Sequence, residues 1–357
     1  MSADAARELV ATAERRPLRA KESAELIGAA LESRLSATET ARVLTALHLR
    51  GETADELEGC VRAMLRRAVR IAVGVRRVMD VGGTGGDGAR TFNVSTTAAL
   101  VVAAAEVPVV KHGNVAVTGA SGSVDMLRDL GVPVPADADP KSVLEQVDAT
   151  GFAVAPTRSF LRLPQQVSVV RRRLPFRTIF NLAGPLAHPA TALRAQVVGA
   201  PTVPVADLLA EVMRRVGRRR VSIVHGRVEG RPGGLDEPSL CGTTRIVSLR
   251  DGELDAFDVT PDELGLEPAP LETLVAGDAA ASAATCRRVL DGERGPARDV
   301  VCFMAGIGLW TADAAESIAG GVQQAADAID GGAAAALLDR LTYGRTEAAQ
   351  WSSTSQR

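Results

Sequence analysis

From Met79 onward, short strand-like runs alternate with longer alanine-rich runs of helical character. The strand-like runs include VPVVKH, RVSIVHG and TRIVSL, and the helix-like runs include STTAALVVAAAEV, VDMLRDLG and VADLLAEVMRRVG. Such alternation is typical of a sheet whose parallel strands are connected by helices that cover its faces. The sequence therefore predicts the α/β fold class, with a central, mostly parallel sheet flanked by helices.

The part of the chain before this alternation has a helical pattern. Between Lys21 and about Val73 the apolar residues recur at the spacing of one helix face. Ser36 and Thr53 are suited to cap helices, and Glu56 lies three residues after Thr53, as a capping box requires. We therefore predict a small helical unit at this end of the chain.

The length of 357 residues exceeds what one hydrophobic core usually organises, so we expect more than one packed unit. The predicted units are a helical domain over residues 1–75, completed by helices from the middle of the chain, and an α/β domain over residues 76–345. Residues 346–357 are polar and are predicted to form a flexible tail. The glycine-rich stretch 226–234 is predicted to be a mobile surface loop.

Charge is nearly balanced, since 41 lysines and arginines oppose 43 acidic residues and give a net charge of −2. This balance favours neither nucleic acid nor a membrane as a partner, so any anion must be bound by a local site. The sequence has no signal-peptide pattern and no long uninterrupted apolar stretch, and we expect a cytoplasmic protein. The cysteines show no metal-ligand spacing and are expected to be reduced: Cys60, Cys241, Cys286 and Cys302.

The segment 80–97, DVGGTGGDGARTFNVSTT, carries the strongest functional signal. Five of its glycines lie within seven residues, which lets the backbone approach a ligand and turn its N–H groups toward an anion. Asn93, Ser95 and Thr96 then introduce a helix whose free N–H groups favour phosphate. The alternative is a glycine-rich turn followed by an ordinary helix cap. The spacing matches neither GxxxxGK[ST] nor GxGxxG, which disfavours a nucleoside triphosphatase and a Rossmann dehydrogenase.

Several long motifs occur together in a characteristic order. They are LRGETADEL at 49–57, GTGGDG at 83–88, TFNVST at 91–96, KHGN at 111–114, GSVD at 122–125, VRRRLPFRTIFNLAGPL at 170–186 and GLDEPSL at 234–240. With these motifs the chain resembles the anthranilate phosphoribosyltransferase family, whose fold is shared with pyrimidine nucleoside phosphorylases. The resemblance implies transfer of a phosphoribosyl group from phosphoribosyl pyrophosphate (PRPP) to anthranilate, in tryptophan biosynthesis.

The resemblance also implies a set of PRPP-binding residues in the glycine loop, the TFNVST segment and the KHGN motif. They are Gly83, Thr84, Gly85, Gly86, Asp87, Thr91, Asn93, Ser95, Thr96, Lys111 and Ser123. Lys111 suits a phosphate oxygen because its ammonium is a compact charge, and a structural lysine at a strand end is the alternative.

An adjacent acidic pair in GLDEPSL is the predicted Mg²⁺ site. Asp236 and Glu237 offer the oxygen ligands that Mg²⁺ prefers, with Ser95 as a further ligand and pyrophosphate supplying others. Without the resemblance, an adjacent acidic pair would be read as a solvated surface feature. Mg²⁺ is therefore the expected cofactor.

On the acceptor side, the resemblance implies that Arg171 meets the carboxylate of the acceptor and that Asn114 contacts the acceptor as well. The predicted catalytic residues are Lys111, His112, Asn114 and Arg171, with His112 as an orienting group or, alternatively, a purely structural one. Homodimerisation through the N-terminal helices is also implied.

Two stretches depart from the family pattern. The family continues KHGN with Arg and a Ser-Ser pair, where this chain has Val115, Thr118 and Gly119. It also carries a His-Pro-Ala-Met motif where this chain reads TRSFLRLPQQ, within residues 156–167. These departures leave transfer to another small aromatic acceptor open. Two further alternatives are nucleoside phosphorolysis, which shares the fold, and a non-catalytic relative of this fold that binds nucleic acid.

Overall fold

The computed structural model describes residues 2–74, 76–85, 87–113 and 122–342. The helices are α1 Ala3–Arg15, α2 Ala20–Leu31, α3 Ala37–Arg50, α4 Ala54–Arg67, α5 Val94–Ala104, α6 Ser123–Asp129, α7 Pro140–Thr150, α8 Thr157–Phe160, α9 Gln165–Arg173, α10 Ile179–Leu186, α11 Val203–Arg215, α12 Ala279–Leu290, α13 Pro296–Thr311 and α14 Ile318–Asp330. The strands are β1 Met79–Gly83, β2 Val109–Gly113, β3 Phe152–Pro156, β4 Ala195–Gly199, β5 Arg220–Val228, β6 Arg231–Leu235, β7 Thr244–Arg250 and β8 Glu253–Val259. The predicted tail, residues 346–357, lies outside the described residues.

The strands form one sheet in the order β3-β2-β1-β4-β5-β7-β8, and β6 pairs with β5. The pairings from β3 through β5 are parallel, and those of β6, β7 and β8 are antiparallel. In the central pair, Val81 of β1 lies opposite Val197 of β4, and Gly83 lies opposite Gly199 at their carboxyl ends. The predicted fold class, an α/β fold with a mostly parallel sheet flanked by helices, is confirmed.

Helices cover the parallel strands, and this arrangement explains why those strands are apolar along most of their length. Val81, Val109 and Val197 are all fully buried, as expected of strands that are covered on both faces. Helix α5 is buried around nearly its whole circumference and packs between the sheet and α13. An apolar run such as AALVVAA therefore forms an interior helix rather than a surface one.

The N-terminal helices α1–α4 pack together on one side of the sheet. Their apolar core continues through α9, α10 and α11, so helices from the middle of the chain share it. The capping box at the start of α4 is present: Glu56 N donates to Thr53 Oγ1 at 3.3 Å, and Thr53 N donates to Glu56 Oε2 at 3.0 Å. Glu56 also accepts from Leu18 N and from Arg50, which accounts for its complete burial.

The stretch 226–234, predicted to be a mobile surface loop, is instead the turn of an antiparallel hairpin between β5 and β6. Gly226 pairs with Leu235 and Val228 with Arg231, so the backbone groups of these glycine-rich residues are used in a ladder. Gly230 closes the turn with a φ of 72°. The prediction was wrong because glycine content signals a turn but does not show whether its flanks pair.

In the described part of the chain, no helix has both the length and the apolar character needed to cross a bilayer.

Candidate active site

A cleft of about 700 Å³ opens at the carboxyl ends of β1 and β2. The chain runs outward from β1 to β2 and β3 on one side and through β4 and β5 on the other, so the connections diverge between β1 and β4. Ligands of open α/β sheets bind in the crevice at such a switch point. The predicted site residues that line it are Gly83, Thr84, Gly85, Asp87, Thr91, Asn93, Ser95, Thr96, Lys111, His112, Ser123, Arg171, Asp236 and Glu237. Gly86 and Asn114 lie outside the described residues.

The glycine loop is folded back on itself and toward the acidic pair. Gly85 and Gly88 have positive φ values of 65° and 73°, which few other residue types adopt. Asp87 Oδ1 accepts from Ala89 N at 2.8 Å, and Asp87 Oδ2 accepts from Asp236 N at 3.2 Å. Asp87 therefore connects the loop to the segment that carries the predicted metal ligands.

The first turn of α5 faces the cleft, and its cap residue is held from outside the helix. Asn93 N donates to Ser282 Oγ at 2.9 Å, and that hydroxyl donates to Asn93 Oδ1 at 2.7 Å. The Asn93 side chain makes no capping hydrogen bond to α5 itself. The first-turn N–H groups of Val94, Ser95 and Thr96 already donate to acceptors within the protein, so the positive end of the helix dipole is what favours an anion at this position.

Asp236 and Glu237 lie in the cleft directly against the glycine loop and the start of α5, and they are only 7% and 8% exposed. Asp236 Oδ2 accepts from Gly85 N, and Glu237 Oε1 accepts from Ser95 N at 3.3 Å. Burial, together with nearby Asp87, raises the pKa of Asp236 to about 7. Burial and the adjacent Asp236 charge raise the pKa of Glu237 well above its ordinary value. Two buried carboxylates that repel each other favour a cation between them.

Small residues at the strand ends allow this approach. A Cβ atom at Gly199 would lie 1.6 Å from the backbone oxygen of Asp236, and one at Gly83 would lie 2.9 Å from Asp236 Oδ2. Glycine at the ends of β1 and β4 is therefore needed for the acidic segment to cross the switch point.

The acidic pair fits a hard divalent cation such as Mg²⁺. Glu237 Oε2 is buried and finds no hydrogen-bond partner among the described residues, so an oxygen is available for a ligand. Ser95 lies next to the pair through its backbone bond to Glu237. The described residues contain no group of three or more acidic, histidine or cysteine side chains arranged to hold a metal.

Lys111 reaches the cleft from β2 but is itself 2% exposed. Its Nζ donates to Val81 O at 2.6 Å, and burial lowers the pKa of the ammonium. Asp80, buried beside it, accepts from His112 N at 3.2 Å and from Gln196 Nε2 at 3.1 Å. Sequence reasoning assigned no role to Asp80, although it opens the glycine segment. Asp80 and Lys111 interact electrostatically, and burial raises the pKa of the Asp80 carboxyl.

His112 is half-buried, and its surroundings keep it neutral. Burial and the neighbouring His188 lower the pKa of His112 to about 3, and the two rings meet edge to face at 5.6 Å. Within the described chain, His112 Nε2 is buried without a hydrogen-bond partner. A neutral imidazole with a free ring nitrogen orients a ligand by hydrogen bonding, and at neutral pH it carries no charge.

Arg171 lies on α9 at the other side of the cleft. Its Nη2 donates to Asn181 Oδ1 at 3.4 Å, and its guanidinium carbon lies 5.4 Å from the centre of the Phe180 ring. Its Nε is buried and unpaired as far as the described residues show. The apolar side chains of Met64, Leu161 and Leu163 line the same cleft. A charged fork beside a flat apolar surface suits a planar carboxylate.

Two contacts that sequence reasoning missed hold the cleft together. Arg177 donates to the carbonyl oxygens of Thr84 and Gly85, and Ser282 holds Asn93 as described above. Arg177 lies inside the FRTIFN motif, which was the available signal. Ser282 is 189 residues from Asn93, and no local pattern marks it.

The site also gathers buried polar atoms that lack partners. Among the described residues, such atoms lining the cleft are Thr84 Oγ1, His112 Nε2, Arg171 Nε and Glu237 Oε2. Folded proteins pair nearly all buried polar groups, so this clustering indicates a surface that is completed by a ligand.

Comparisons with known proteins agree with this geometry. A family model described as "Glycosyl transferase family, a/b domain" matches residues 75–335, and one described as "Glycosyl transferase family, helical bundle domain" matches residues 7–68. Anthranilate phosphoribosyltransferase of Moorella thermoacetica is 41% identical over 90% of this chain and 92% of its own. That of Geobacillus stearothermophilus is 41% identical over 89% and 91%.

Solved structures give the same result. Anthranilate phosphoribosyltransferase from Thermus thermophilus superposes with a TM-score of 0.85 at 38% identity, covering 95% of this chain and 98% of that one. The Saccharomyces cerevisiae enzyme in complex with PRPP and Mg shares the fold, with a TM-score of 0.83 at 24% identity over 95% and 96%. Fold and site thus define a glycosyl transferase of the phosphoribosyl-transferring class. The chain belongs to the anthranilate phosphoribosyltransferase family.

Proposed function

We propose that the protein catalyses Mg²⁺-dependent transfer of the 5-phosphoribosyl group from PRPP to anthranilate. The products are N-(5-phosphoribosyl)anthranilate and pyrophosphate, as in tryptophan biosynthesis. The observation that carries this proposal is the arrangement of the cleft, where a glycine loop and a helix N-terminus face a buried acidic pair. Arg171 lies across from them. The family relatives described above support the same reaction.

In this proposal the PRPP diphosphate lies against the glycine loop and the first turn of α5, where N–H groups stabilise the departing charge. Mg²⁺, when bound, neutralises negative charge that grows on pyrophosphate. Asp236 and Glu237 hold the cation, and Ser95 lies beside them. The residues proposed to bind PRPP are Gly83, Thr84, Gly85, Gly86, Asp87, Thr91, Asn93, Ser95, Thr96, Lys111 and Ser123.

Lys111 exchanges its bond to Val81 O for a phosphate oxygen of PRPP in this proposal. The ammonium already lies at the cleft, where burial lowers its pKa and the Asp80 carboxylate beside it opposes this effect in part. His112 contributes a neutral hydrogen-bonding group rather than a general base.

The acceptor binds at the Arg171 side. Its carboxylate pairs with the guanidinium, and its ring lies among Phe180, Leu161 and Leu163. The aromatic amine is neutral at pH 7 and already has a lone pair, so positioning replaces the need for a strong base. Asn114 is proposed to contact the acceptor as well.

Pyrophosphate release from PRPP and Mg²⁺ in the presence of anthranilate tests the proposal. The double variant Asp236→Ala, Glu237→Ala should lose this activity because the cation site is removed. A matched control is Asp262→Ala with Glu263→Ala, an adjacent acidic pair on the surface, which should keep full activity. Retention of activity in the first variant would contradict the assigned metal site.

A second candidate function is transfer to a different small aromatic acceptor. Its supporting observation is that Leu161 and Leu163 line the cleft within the stretch that departs from the family's His-Pro-Ala-Met motif. A panel of aromatic acids and amines, tested beside anthranilate, distinguishes the two. Turnover of another acceptor at a much higher kcat/KM than anthranilate would favour this candidate.

We further propose that the protein is a homodimer that associates through the N-terminal helices, with domains at residues 1–75 and 76–345. Leu49 of α3 is 78% exposed, which leaves a large apolar side chain on this helical surface. Light scattering after size exclusion should give twice the mass of the chain. Leu49→Glu should shift the protein toward monomer, while Leu254→Glu, which changes an exposed apolar residue on β8, should not.

A further inference from the structure

The segment between α9 and α10 places Arg177 in contact with the glycine loop. Arg177 Nη1 donates to Gly85 O, and Nη2 donates to Thr84 O, so one guanidinium fixes two successive carbonyl groups. The fork geometry of arginine suits this contact, whereas a lysine would offer a single ammonium. Gly85 has a φ of 65°. Because glycine permits more backbone conformations than any other residue, the peptide groups of this loop can rotate easily unless a contact holds them.

This contact determines which way the loop's N–H groups point. Because a trans peptide is planar, the C=O of Thr84 and the N–H of Gly85 point in opposite directions. With Thr84 O held by Arg177, the Gly85 N–H is directed away from the arginine and donates to Asp236 Oδ2. Arg177 and the acidic pair therefore contact opposite edges of the Thr84–Gly85 peptide group.

The same connection also reaches the acceptor side. Thr178, the next residue, caps α10, and its N–H donates to Asn181 Oδ1 at 3.0 Å. That oxygen also accepts from Arg171 Nη2 at 3.4 Å. A short path of adjacent residues and hydrogen bonds thus runs from the acceptor-side arginine to the glycine loop.

We propose that Arg177 is a positioning residue that sets the orientation of the Thr84–Gly85 peptide group for PRPP binding. It acts through the loop, since it holds the two carbonyl groups on one side and thereby directs the Gly85 N–H toward the acidic pair, where it donates to Asp236 Oδ2. Its guanidinium also interacts electrostatically with the carboxylates of Asp236 and Asp87. This inference rests on the proposed function, because it assumes that PRPP binds at the glycine loop.

The test compares Arg177→Gln, Arg177→Lys and a control, Arg173→Gln, in the full-length protein. Arg173 is an exposed arginine at the end of α9, four residues before Arg177. For each variant, calorimetry measures the Kd for PRPP with Mg²⁺, and steady-state kinetics measure the KM for PRPP and for anthranilate. Thermal unfolding reports any general loss of stability.

Arg177→Gln should weaken PRPP binding by roughly 10- to 100-fold, the range expected for losing charge-assisted hydrogen bonds. The KM for anthranilate at saturating PRPP should change little, and the melting temperature should stay near that of the wild type. Arg177→Lys should recover part of the affinity because an ammonium can still donate to one carbonyl. Arg173→Gln should match the wild type.

Unchanged PRPP affinity in Arg177→Gln would overturn the inference. So would an equal rise in both KM values with a lower melting temperature, since that pattern marks a structural residue. If Arg177→Gln does not fold, Arg177→Lys decides, because wild-type PRPP affinity in that variant contradicts the need for a fork. Calorimetry needs no turnover, so a wild type that binds PRPP but transfers to no acceptor contradicts only the proposed function.

Discussion

At the scale of single residues, the site is built from groups that the folded chain leaves incompletely paired. Glu237 Oε2, His112 Nε2 and Arg171 Nε are buried in one cleft, and none of them has a partner within the described residues. Each such group costs free energy in the absence of a ligand. The three atoms belong to a carboxyl group, a neutral imidazole and a guanidinium, which matches a metal-bound phosphate next to an aromatic acid.

The raised pKa of Asp236 predicts a pH-dependent cost to stability. With a pKa of about 7 in the folded protein against an ordinary 3.8, the contribution of Asp236 to stability is fully present below about pH 3.8. It is lost as the pH rises through 7. In metal-free protein at pH 8, Asp236→Asn should therefore increase the free energy of unfolding by an amount on the order of 1–4 kcal/mol. The melting temperature should rise accordingly.

Thermal unfolding in EDTA at pH 8 and pH 5 checks this prediction. The gain should shrink at pH 5, where Asp236 is protonated, and Asp262→Asn on the surface should change little at either pH. A lower melting temperature for Asp236→Asn at pH 8 would contradict a destabilising buried charge.

Arg171 should affect the binding of the acceptor but not the binding of PRPP. Arg171→Lys keeps a positive charge but loses the planar fork, so the KM for anthranilate should rise by roughly 10-fold or more while the KM for PRPP stays the same. Steady-state kinetics with each substrate varied in turn measure both values. Arg172→Lys, an exposed neighbour, serves as the control, and an equal rise in both KM values would argue against an acceptor role.

At the scale of elements, sequence signals were reliable where they are local. The helix cap at Ser36, the capping box at Thr53 and the helix that begins after Asn93 are set by neighbouring residues, and the structure confirms them. The hairpin over 226–234 was mispredicted because strand pairing depends on a partner that composition does not reveal. The contacts of Ser282 and Arg177 join segments far apart in the chain, so no local pattern specifies their partners.

The close contact between α13 and α14 predicts the effect of replacing Gly306 by alanine, and Gly28 on α2 provides a matched comparison. A Cβ atom at Gly306 would lie 2.7 Å from both Val322 Cγ2 and Val322 N, so Gly306→Ala must push the helices apart. We expect a loss of about 1–3 kcal/mol of stability. A Cβ atom at Gly28 of α2 would have no neighbouring atom within 4 Å, so Gly28→Ala should stabilise by about 0.5–1 kcal/mol.

Chemical denaturation of both variants measures these changes. Because Gly306 and Gly28 lie outside the cleft lining, activity should be preserved in the folded variants. Equal stability of Gly306→Ala and the wild type would show that the two helices can separate at no cost.

At the scale of the whole molecule, the order of the strands determines where the chemistry lies. Alternating strand and helix patterns were enough to predict a mostly parallel sheet, and the switch point between β1 and β4 then places the glycine loop and the acidic pair together. Strand order itself, and the antiparallel addition of β6, β7 and β8, depend on long-range packing that the patterns do not encode. The PRPP side was therefore more predictable than the acceptor side, where the sequence departs from its family.

The central claim is transfer of the phosphoribosyl group from PRPP to anthranilate. Its most direct test measures pyrophosphate release and anthranilate consumption in the same reaction. Purified protein with PRPP, Mg²⁺ and limiting anthranilate should release pyrophosphate in a one-to-one ratio with the anthranilate consumed. The release should stop when anthranilate is exhausted. Pyrophosphate release without loss of anthranilate, or no release while PRPP is bound, would contradict the assignment of anthranilate as the acceptor.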